Sequence, residues 1–311
     1  MTSPFLTDRA PVCPRTLLKK AQSLATPRIA IANAGSRLPM QAARIATETG
    51  VMEPVFVGDK FAIRAVAAAI GWDIKKYRIV SVASDEAAAR TAATLCGKGE
   101  ADVLMKGDLH TDTFLKGALS KVADLRTEQR LVHIFHVTHP DADRPLLISD
   151  AAVNVAPDLK TRQQITHAVV NLLRLLGTKT PRVAFLSATE TPSAAVPSSI
   201  DARTLRDWAH KSIKNAHFSG PLALDLALSP RSAEIKNLTD DPVAGRADAI
   251  IVPDLTTGNA LFKALVYLSS GCAAGIVTGA KVPILLTSRA DPAAARLASV
   301  VLATIALNAK T

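Results

Sequence analysis

Polar side chains of three kinds follow a short apolar run near the end of the chain. Thr287, Ser288 and Arg289 come directly after residues 284–286, and Pro292 follows shortly after. The run predicts a buried strand, and proline suits the first turn of a helix. Ligands of open α/β sheets bind at such strand ends, where arginine and hydroxyl donors suit phosphate. The pattern predicts a site for a phosphorylated ligand, although a helix N-cap with a surface arginine also fits.

A second apolar run, residues 102–105, is followed by a glycine turn with polar neighbours. Lys106, His110 and Thr111 are candidate ligand contacts here. The alternative is a β-α turn with solvated charges, capped by Thr111. Lys116 in the next predicted helix offers a point charge for phosphate, and a solvated helix lysine is its alternative. Two such turns strengthen the prediction of a site.

Two further turns repeat the pattern in the middle of the chain. Asp150 and Asn154 follow the run 146–148, and Asn259 and Lys263 follow the run 250–252. Asn259 is predicted near a helix start, where free N–H groups attract anions. The alternatives are an Asx-turn at Asp150, a cap at Asn259 and a solvated lysine at Lys263.

Motifs for other chemistries are missing from the sequence. It contains no GxGxxG after a strand, no GxxxxGK[ST] and no HExxH. His133, His136 and His139 are three residues apart, yet that spacing alternates faces in the strand predicted around them. We therefore expect no metal site.

Composition favours an α/β fold of two domains. Hydrophobic residues make up 48% of the 311 residues but aromatic residues only 4%, as is typical of helix-covered parallel sheets. The formal net charge of +10 is scattered along the chain, without the basic runs and interleaved aromatics that bind single-stranded nucleic acid. Small polyphosphate ligands fit better than nucleic acid or a membrane surface.

The three cysteines predict a reducing environment. Cys13, Cys96 and Cys272 are odd in number and far apart, which argues against a disulfide framework. The first residues lack a secretory pattern, and the apolar stretch 297–307 is too short to cross a bilayer. The sequence therefore predicts a cytoplasmic protein.

Apolar periodicity gives the order of the elements. Residues 1–26 are predicted to form a tail with one short helix. Strands are predicted at 28–34, 54–57, 78–82, 102–105, 131–137, 145–148, 182–186, 222–226, 249–252 and 284–286. The segment 138–144 predicts a hairpin turn. Helices are predicted at 157–176, 202–213, 257–268 and 292–309. The pattern alone allows the last strand to end the second domain or to return to the first.

Five segments together resemble the phosphate acetyltransferase and butyryltransferase family. They are LMKGDLHT at 104–111, DAAVNVAPD at 150–158, AGRAD at 244–248, PDLTTGN at 253–259 with Lys263, and Ser288-Arg289. The resemblance covers residues 27–308 and is closest to the butyryltransferase-like branch. It implies a two-domain α/β/α subunit related in architecture to isocitrate and isopropylmalate dehydrogenases, with an active-site cleft between domains. The implied domains are 27–145 with 280–311, and 146–279.

The resemblance also implies the reaction and the roles of residues. Such enzymes move an acetyl or short acyl group between coenzyme A and phosphate in a ternary complex, by direct thiol attack on the acyl phosphate. Coenzyme A is then a substrate, no cofactor is permanently bound, and a homodimer is expected. Arg289 would bind phosphate, and Ser288 would donate to the oxyanion. Lys116 falls near a family arginine that holds coenzyme A, and Arg90 is a weaker phosphate contact.

The base that deprotonates the thiol is the main departure from the family pattern. Ala295 stands where acetyltransferases carry an aspartate. Asp291 is either the base or a helix cap, and Asp150 is a second candidate. The missing acid motivates an alternative function, a non-catalytic module that senses coenzyme A or a metabolite. A decarboxylating dehydrogenase would need metal-binding acids and a nicotinamide site, neither of which the sequence offers.

Overall fold

The computed structural model describes residues 3–142, 144–287 and 291–308. Its strands are β1 (Arg28–Ala32), β2 (Glu53–Gly58), β3 (Ile79–Ser81), β4 (Val103–Lys106), β5 (Val132–Thr138), β6 (Leu146–Ser149), β7 (Arg182–Leu186), β8 (His217–Leu222), β9 (Ala249–Ile251), β10 (Cys272–Thr278) and β11 (Ile284–Leu285).

Helices connect most of these strands, as the α/β prediction requires. They are α1 (Arg15–Gln22), α2 (Arg37–Glu48), α3 (Lys60–Ala69), α4 (Asp85–Gly97), α5 (Thr111–Ala118), α6 (Leu159–Leu176), α7 (Pro197–Ser212), α8 (Leu224–Leu228), α9 (Pro230–Ile235), α10 (Leu255–Ser269) and α11 (Ala293–Asn308), with a 3-10 turn at Lys121–Ala123. Within the described ranges, no helix is long and apolar enough to cross a membrane.

The chain divides into two compact units. Unit A comprises Pro11–Leu131 and Ala274–Thr311, and unit B comprises Met1–Ala10 and Val132–Ala273. The predicted domains 27–145 with 280–311 and 146–279 have the same order along the chain, and their boundaries stay a prediction. Residues 11–26 belong to unit A, where Cys13 and Ala21 are buried and α1 packs against α11. That part of the chain is not a free tail.

The sheet of unit A has the order β3-β2-β1-β4-β11-β10. β1 is parallel to β2 and β4, β11 is parallel to β4, and β10 is antiparallel to β11. Ala32 pairs with Lys106, and Leu285 pairs with Met105. Because these strands are parallel and in register, the chain leaves β1, β4 and β11 at the same edge. The final strand therefore belongs with the first α/β segment.

The sheet of unit B has the order β5-β6-β9-β7-β8. β5 and β6 form the predicted antiparallel hairpin, and β6 is parallel to β9, with Ser149 opposite Ile251. The long helix α6 ends at Gly177 in the left-handed conformation, with φ 107°, as its sequence predicted. The loops after β6 and β9 leave this sheet at one edge.

One strand was predicted in the wrong place, and another was not predicted. The strand expected at 222–226 lies earlier, as β8, and α8 follows it. The pair Gly220-Pro221 lies inside β8, where such a dipeptide normally indicates a turn. β10 was not predicted, because its sequence CAAGIVT is rich in small residues with weak strand preference.

Candidate active site

Lys106 and Thr287 join the ends of two neighbouring strands in unit A. Both residues are buried, and the Thr287 hydroxyl donates to the Lys106 carbonyl oxygen at 2.9 Å. The Lys106 ammonium Nζ lies 3.3 Å from the Thr287 carbonyl oxygen and 3.5 Å from that of Gly107. A buried ammonium at a strand end is costly unless polar atoms surround it. This pair places a positive charge next to the chain that continues into Ser288 and Arg289.

Gly107 allows the β4 loop to approach the end of β1 closely. A Cβ atom at Gly107 would lie 2.3 Å from the Asn33 carbonyl oxygen and 2.4 Å from that of Ala32. Asn33 has a φ of 54°, and its amide donates to Asp85 Oδ1 at 2.8 Å and to the Asp108 carbonyl oxygen at 2.7 Å. These bonds fix the loops after β1 and β4 against each other.

A cavity opens at the same edge of unit A. Its volume is about 320 Å³, and it is lined by Ser36, Arg37, Leu38, Pro39, Gly107, Asp108, Thr287 and Arg296. Arg37 is exposed at the start of α2, whereas Arg296 of α11 is 4% exposed. Burial lowers the pKa of Arg296, and the carboxylates of Asp291 and Asp108 oppose that shift. Arginine remains charged under such conditions, so the cavity wall carries two guanidinium groups.

Ser288 and Arg289, the strongest sequence candidates, lie outside the described residues. Thr287 immediately precedes them, and Asp291 follows them. The Arg296 Nε donates to the Asp291 main-chain oxygen at 3.1 Å. Thr287, before the Ser-Arg pair, is therefore hydrogen-bonded to Lys106, and Asp291, after the pair, accepts from the buried Arg296.

The remaining candidates of unit A lie on α4 and α5. His110 is the exposed N-cap of α5 but makes no side-chain capping bond, and Thr111 is the exposed first residue of that helix. Lys116 and Arg90 are exposed as well. α4 and α5 pack closely at Gly117, where a Cβ atom would lie 2.5 Å from Ala89 Cβ. The structure brings these four residues onto adjoining helices.

Asp150 in unit B is buried, and four N–H groups donate to its carboxylate oxygens. Its Oδ1 accepts from the Ala152 and Val153 amides, both at 2.9 Å. Its Oδ2 accepts from the His133 amide at 3.0 Å and from Asn154 Nδ2 at 2.7 Å. This is the geometry of an Asx-turn that also holds β5, so the sequence alternative describes the local structure.

Asn259 and Lys263 lie along α10 in unit B. Asp254 caps this helix by accepting from the Thr257 amide, so Asn259 is not the cap. Asn259 Nδ2 lies 3.4 Å from the Ala151 carbonyl oxygen, whereas Lys263 is exposed. Gly258 passes so close to Asp150 that a Cβ atom would lie 2.7 Å from its carbonyl oxygen. Asn259 and Asp150 therefore flank one loop.

The histidines of β5 are buried and neutral. Burial lowers the pKa of His133 to about 4, opposed by the charge of Asp150, and burial also lowers the pKa of His136 to about 4. The Nδ1 atoms of both rings are buried without a hydrogen-bond partner. In the part of the chain that the structure describes, no group of three or more His, Cys, Asp or Glu is arranged to hold a metal.

Sequence reasoning missed three residues of the unit A edge. Arg296 is a lone charge in the apolar helix α11, and that isolation was the available signal. Arg37 follows no apolar run and belongs to no motif that would separate it from a surface arginine. Asn33 became significant only through its left-handed φ, which no pattern in the sequence indicated.

Comparison with known proteins gives one consistent family. A family model described as "Phosphate acetyl/butaryl transferase" matches residues 86–305. The chain is 38% identical to the phosphate acetyltransferase of Rickettsia prowazekii, over 94% of this chain and 84% of that protein. It is 34% identical to the phosphate butyryltransferase of Clostridium acetobutylicum, over 94% of this chain and 98% of that protein. The crystal structure of a branched-chain phosphotransacylase from Enterococcus faecalis superposes with a TM-score of 0.79 at 28% identity, covering 91% of this chain and 99% of that one.

The α/β fold and these relatives define an acyltransferase enzyme. The chain belongs to the phosphate acetyl/butyryl transferase family, and the resemblance noted from its motifs is confirmed. The relatives are named as enzymes, and nothing supports the non-catalytic alternative.

Proposed function

We propose that this phosphate acyltransferase moves an acetyl or other short acyl group between coenzyme A and inorganic phosphate. In one direction a phosphate oxygen attacks the thioester carbonyl carbon, the C–S bond breaks, and the coenzyme leaves as a thiolate that takes up a proton. In the other direction the thiolate attacks the carbonyl carbon of the acyl phosphate, and phosphate leaves. The observation that carries the proposal is the buried Lys106–Thr287 contact, directly before Ser288 and Arg289.

We assign charge neutralisation at the reacting centre to residues at the edge of the unit A sheet where β4 and β11 end. Arg289 binds the phosphate group in our assignment, Ser288 donates to the oxyanion, and the Lys106 ammonium supplies fixed positive charge at the end of β4. Preorganised donors of this kind act where charge develops, and losing one typically costs about 100- to 1,000-fold in rate. Thr287 contributes by holding the β4 carbonyl oxygen.

We assign the thiol base to Asp291 rather than to Asp150. A coenzyme thiol with a pKa of about 8.5 is mostly protonated at neutral pH, so a base helps. The Asp150 oxygens already accept four N–H donors, which supports a structural role. Asp291 adjoins the Ser-Arg pair in sequence, and Arg296 holds its main-chain oxygen.

Contacts to coenzyme A are assigned to polar residues of the helices and loops, all of them exposed except the buried Asn154 and the half-buried Asn259. In unit A these are Arg90, His110, Thr111 and Lys116, and in unit B they are Asn154, Asn259 and Lys263. Lysine offers a point charge to the phosphates of the coenzyme but lacks the bidentate fork of arginine. The coenzyme enters as a substrate, and we propose no permanently bound cofactor.

The testing experiment is phosphate-dependent thiol release from acetyl-, propionyl- and butyryl-coenzyme A. We expect activity in the wild type, a loss of about 100-fold or more in Arg289→Ala, and no loss in Arg64→Gln, an exposed arginine of α3. A wild-type protein that releases no thiol with any of the three substrates refutes the proposed function.

We also propose a homodimer in the cytoplasm. Helix α10 is apolar, yet Gly258 is its one buried residue, and Tyr267 and Leu268 are 45% and 53% exposed. Leu261, Phe262, Leu265 and Val266 of this helix pack against the core of unit B, and the apolar side chains left exposed at its end suit an interface between copies. The three cysteines are free and buried, which suits a reducing compartment. Light scattering of the wild type and a Tyr267→Lys/Leu268→Lys variant tests the dimer: a monomeric wild type contradicts it.

A further inference from the structure

The cavity of unit A has two chemically different walls. Arg37 and Arg296 supply guanidinium groups, whereas Leu38 and Pro39 supply apolar surface. Leu38 is 47% exposed, so its side chain is available to a ligand. A ligand that satisfies both walls needs an anionic end and a short apolar end.

Size limits that ligand further. Small-molecule sites span about 300–1,000 Å³, and this cavity of about 320 Å³ lies at the lower end. A phosphate group with a short acyl chain suits such a volume, whereas a nucleotide-bearing coenzyme needs far more room. The small substrate of the acyl transfer is therefore the better match.

The charges of the cavity favour a phosphate group over a neutral ligand. The lining residues carry one carboxylate, that of Asp108, and two guanidinium groups. Arg296 is held in place, because its Nε donates to the Asp291 main-chain oxygen at 3.1 Å and the residue is 4% exposed. A guanidinium fixed in a partly dry site interacts with phosphate more strongly than a mobile surface one. Ser36 makes no side-chain capping bond at the start of α2, so its hydroxyl does not cover the first-turn amide groups beside the cavity.

We propose that this cavity binds the acyl phosphate. Arg296 and Arg37 contact its phosphate group, in addition to the contact assigned above to Arg289, and the acyl chain lies against Leu38 and Pro39. Arg296 and Arg37 are then substrate-binding residues, and Leu38 determines the preferred acyl length. The proposal rests on the proposed function for the identity of its ligand. It adds residues of α2 and α11 that no motif of the sequence indicated.

Equilibrium dialysis with radiolabelled inorganic phosphate, and separately with acetyl-coenzyme A, tests the anionic wall without requiring turnover. We expect Arg37→Gln and Arg296→Gln to weaken phosphate binding by about 10- to 100-fold, the effect of losing a charge-assisted hydrogen bond. Acetyl-coenzyme A binding should not change. Arg64→Gln is the matched control, because Arg64 is an exposed arginine of unit A that does not line this cavity.

The opposite pattern overturns the proposal. Weaker acetyl-coenzyme A binding with unchanged phosphate binding assigns the cavity to the coenzyme, and dephospho-coenzyme A then shows whether its 3′-phosphate is the group bound. Equal binding of phosphate and of acetyl-coenzyme A in all variants would mean that neither arginine contacts the ligand, which also overturns the proposal. If Arg296→Gln does not fold, the exposed Arg37→Gln variant decides alone. A wild type that binds phosphate but transfers no acyl group refutes the proposed function and leaves the anion site standing.

Steady-state kinetics tests the apolar wall. Leu38→Phe should lower the butyryl-to-acetyl ratio of kcat/KM by about tenfold, and Leu38→Ala should raise it, since methylene-sized differences in a pocket are worth about 10- to 200-fold. Leu224→Ala, a change at a partly exposed leucine of α8 in unit B, is the control. An unchanged ratio in both Leu38 variants removes the acyl chain from this wall.

Discussion

The loop after β4 in unit A and the loop after β6 in unit B look alike in sequence but use their polar groups differently. Each follows a short buried strand and contains polar side chains, an aspartate among them. In unit B, Asp150 accepts four N–H donors from its own surroundings. In unit A, Lys106 and Asp108 lie at an edge where Arg296 and Arg37 line a cavity. A polar turn after a strand is thus a site only where its groups face space that a ligand can enter.

Removing the Asp150 carboxylate should give the largest effect on stability. Asp150→Ala leaves four donors without their acceptor, and each unsatisfied buried group costs about 1–3 kcal/mol, so we expect a loss of at least about 3 kcal/mol in the free energy of unfolding. Urea denaturation measures it. Asp254→Ala, which removes the cap of α10 in the same unit, should cost about 1 kcal/mol. If Asp150→Ala is as stable as the wild type but inactive, Asp150 is catalytic, and the loop after β6 does not differ from the loop after β4 in the way described.

Lys106 should show the reverse behaviour. Lys106→Met replaces the buried ammonium by an apolar chain of similar length, which a buried site tolerates. We expect cooperative unfolding close to that of the wild type, with thiol release reduced about 100- to 1,000-fold. Lys98→Met, at an exposed position after α4, is the control and should keep full activity. Full activity in Lys106→Met would place that charge outside the reaction.

The two loops also depend on glycines to different degrees. A Cβ atom at Gly107 would meet two backbone oxygens at 2.3 and 2.4 Å, whereas at Gly258 the nearest atom is one backbone oxygen at 2.7 Å. Backbone atoms cannot move aside cheaply, so Gly107→Ala should cost about 3 kcal/mol and Gly258→Ala about 1 kcal/mol. The urea midpoints of the two variants measure the difference. Equal costs would show that the β1 and β4 loops are less tightly joined than the distances indicate.

The sequence predicted much of this scaffold because its signals are local. Apolar runs located most strands, and Gly177 marked the end of α6. The motifs also identified the family. The misplaced strand β8 contains Gly-Pro, and the missed strand β10 is rich in small residues, so the strand structure of both depends on tertiary packing.

The site itself was predicted only in part, because burial and approach are not local properties. Ser288 and Arg289 were found from sequence, but Arg296 lies one helix further on and reaches the cavity only after folding. Conversely, Asp150 and Lys106 are both polar residues at the end of a buried strand in the sequence. The Asp150 oxygens, however, already accept hydrogen bonds within their own turn. Separating these outcomes required the hydrogen bonds of the folded chain.

Acid should expose the difference between the units with the smallest perturbation. The histidines whose pKa burial lowers, His133, His136 and His167, all lie in unit B, and the first two titrate at about 4. In the unfolded chain these rings bind protons with the ordinary pKa of about 6.5. Above that pH the rings are neutral in both states, so their burial costs no stability. Stability is then lost as pH falls from about 6.5 toward 4, by up to about 1.4 kcal/mol per pH unit for each ring. The carboxylates with lowered pKa, Asp102, Asp141 and Glu190, have ordinary pKa values of 3.8 to 4.5, so they affect stability below this pH window.

Hydrogen exchange at pH 5 and 7.5 should therefore show protection lost first in β5 and its neighbours in unit B, and His136→Asn should reduce that loss. Uniform loss across β1, β4 and β5 would mean that the units unfold together and that the histidines do not make unit B the acid-sensitive half.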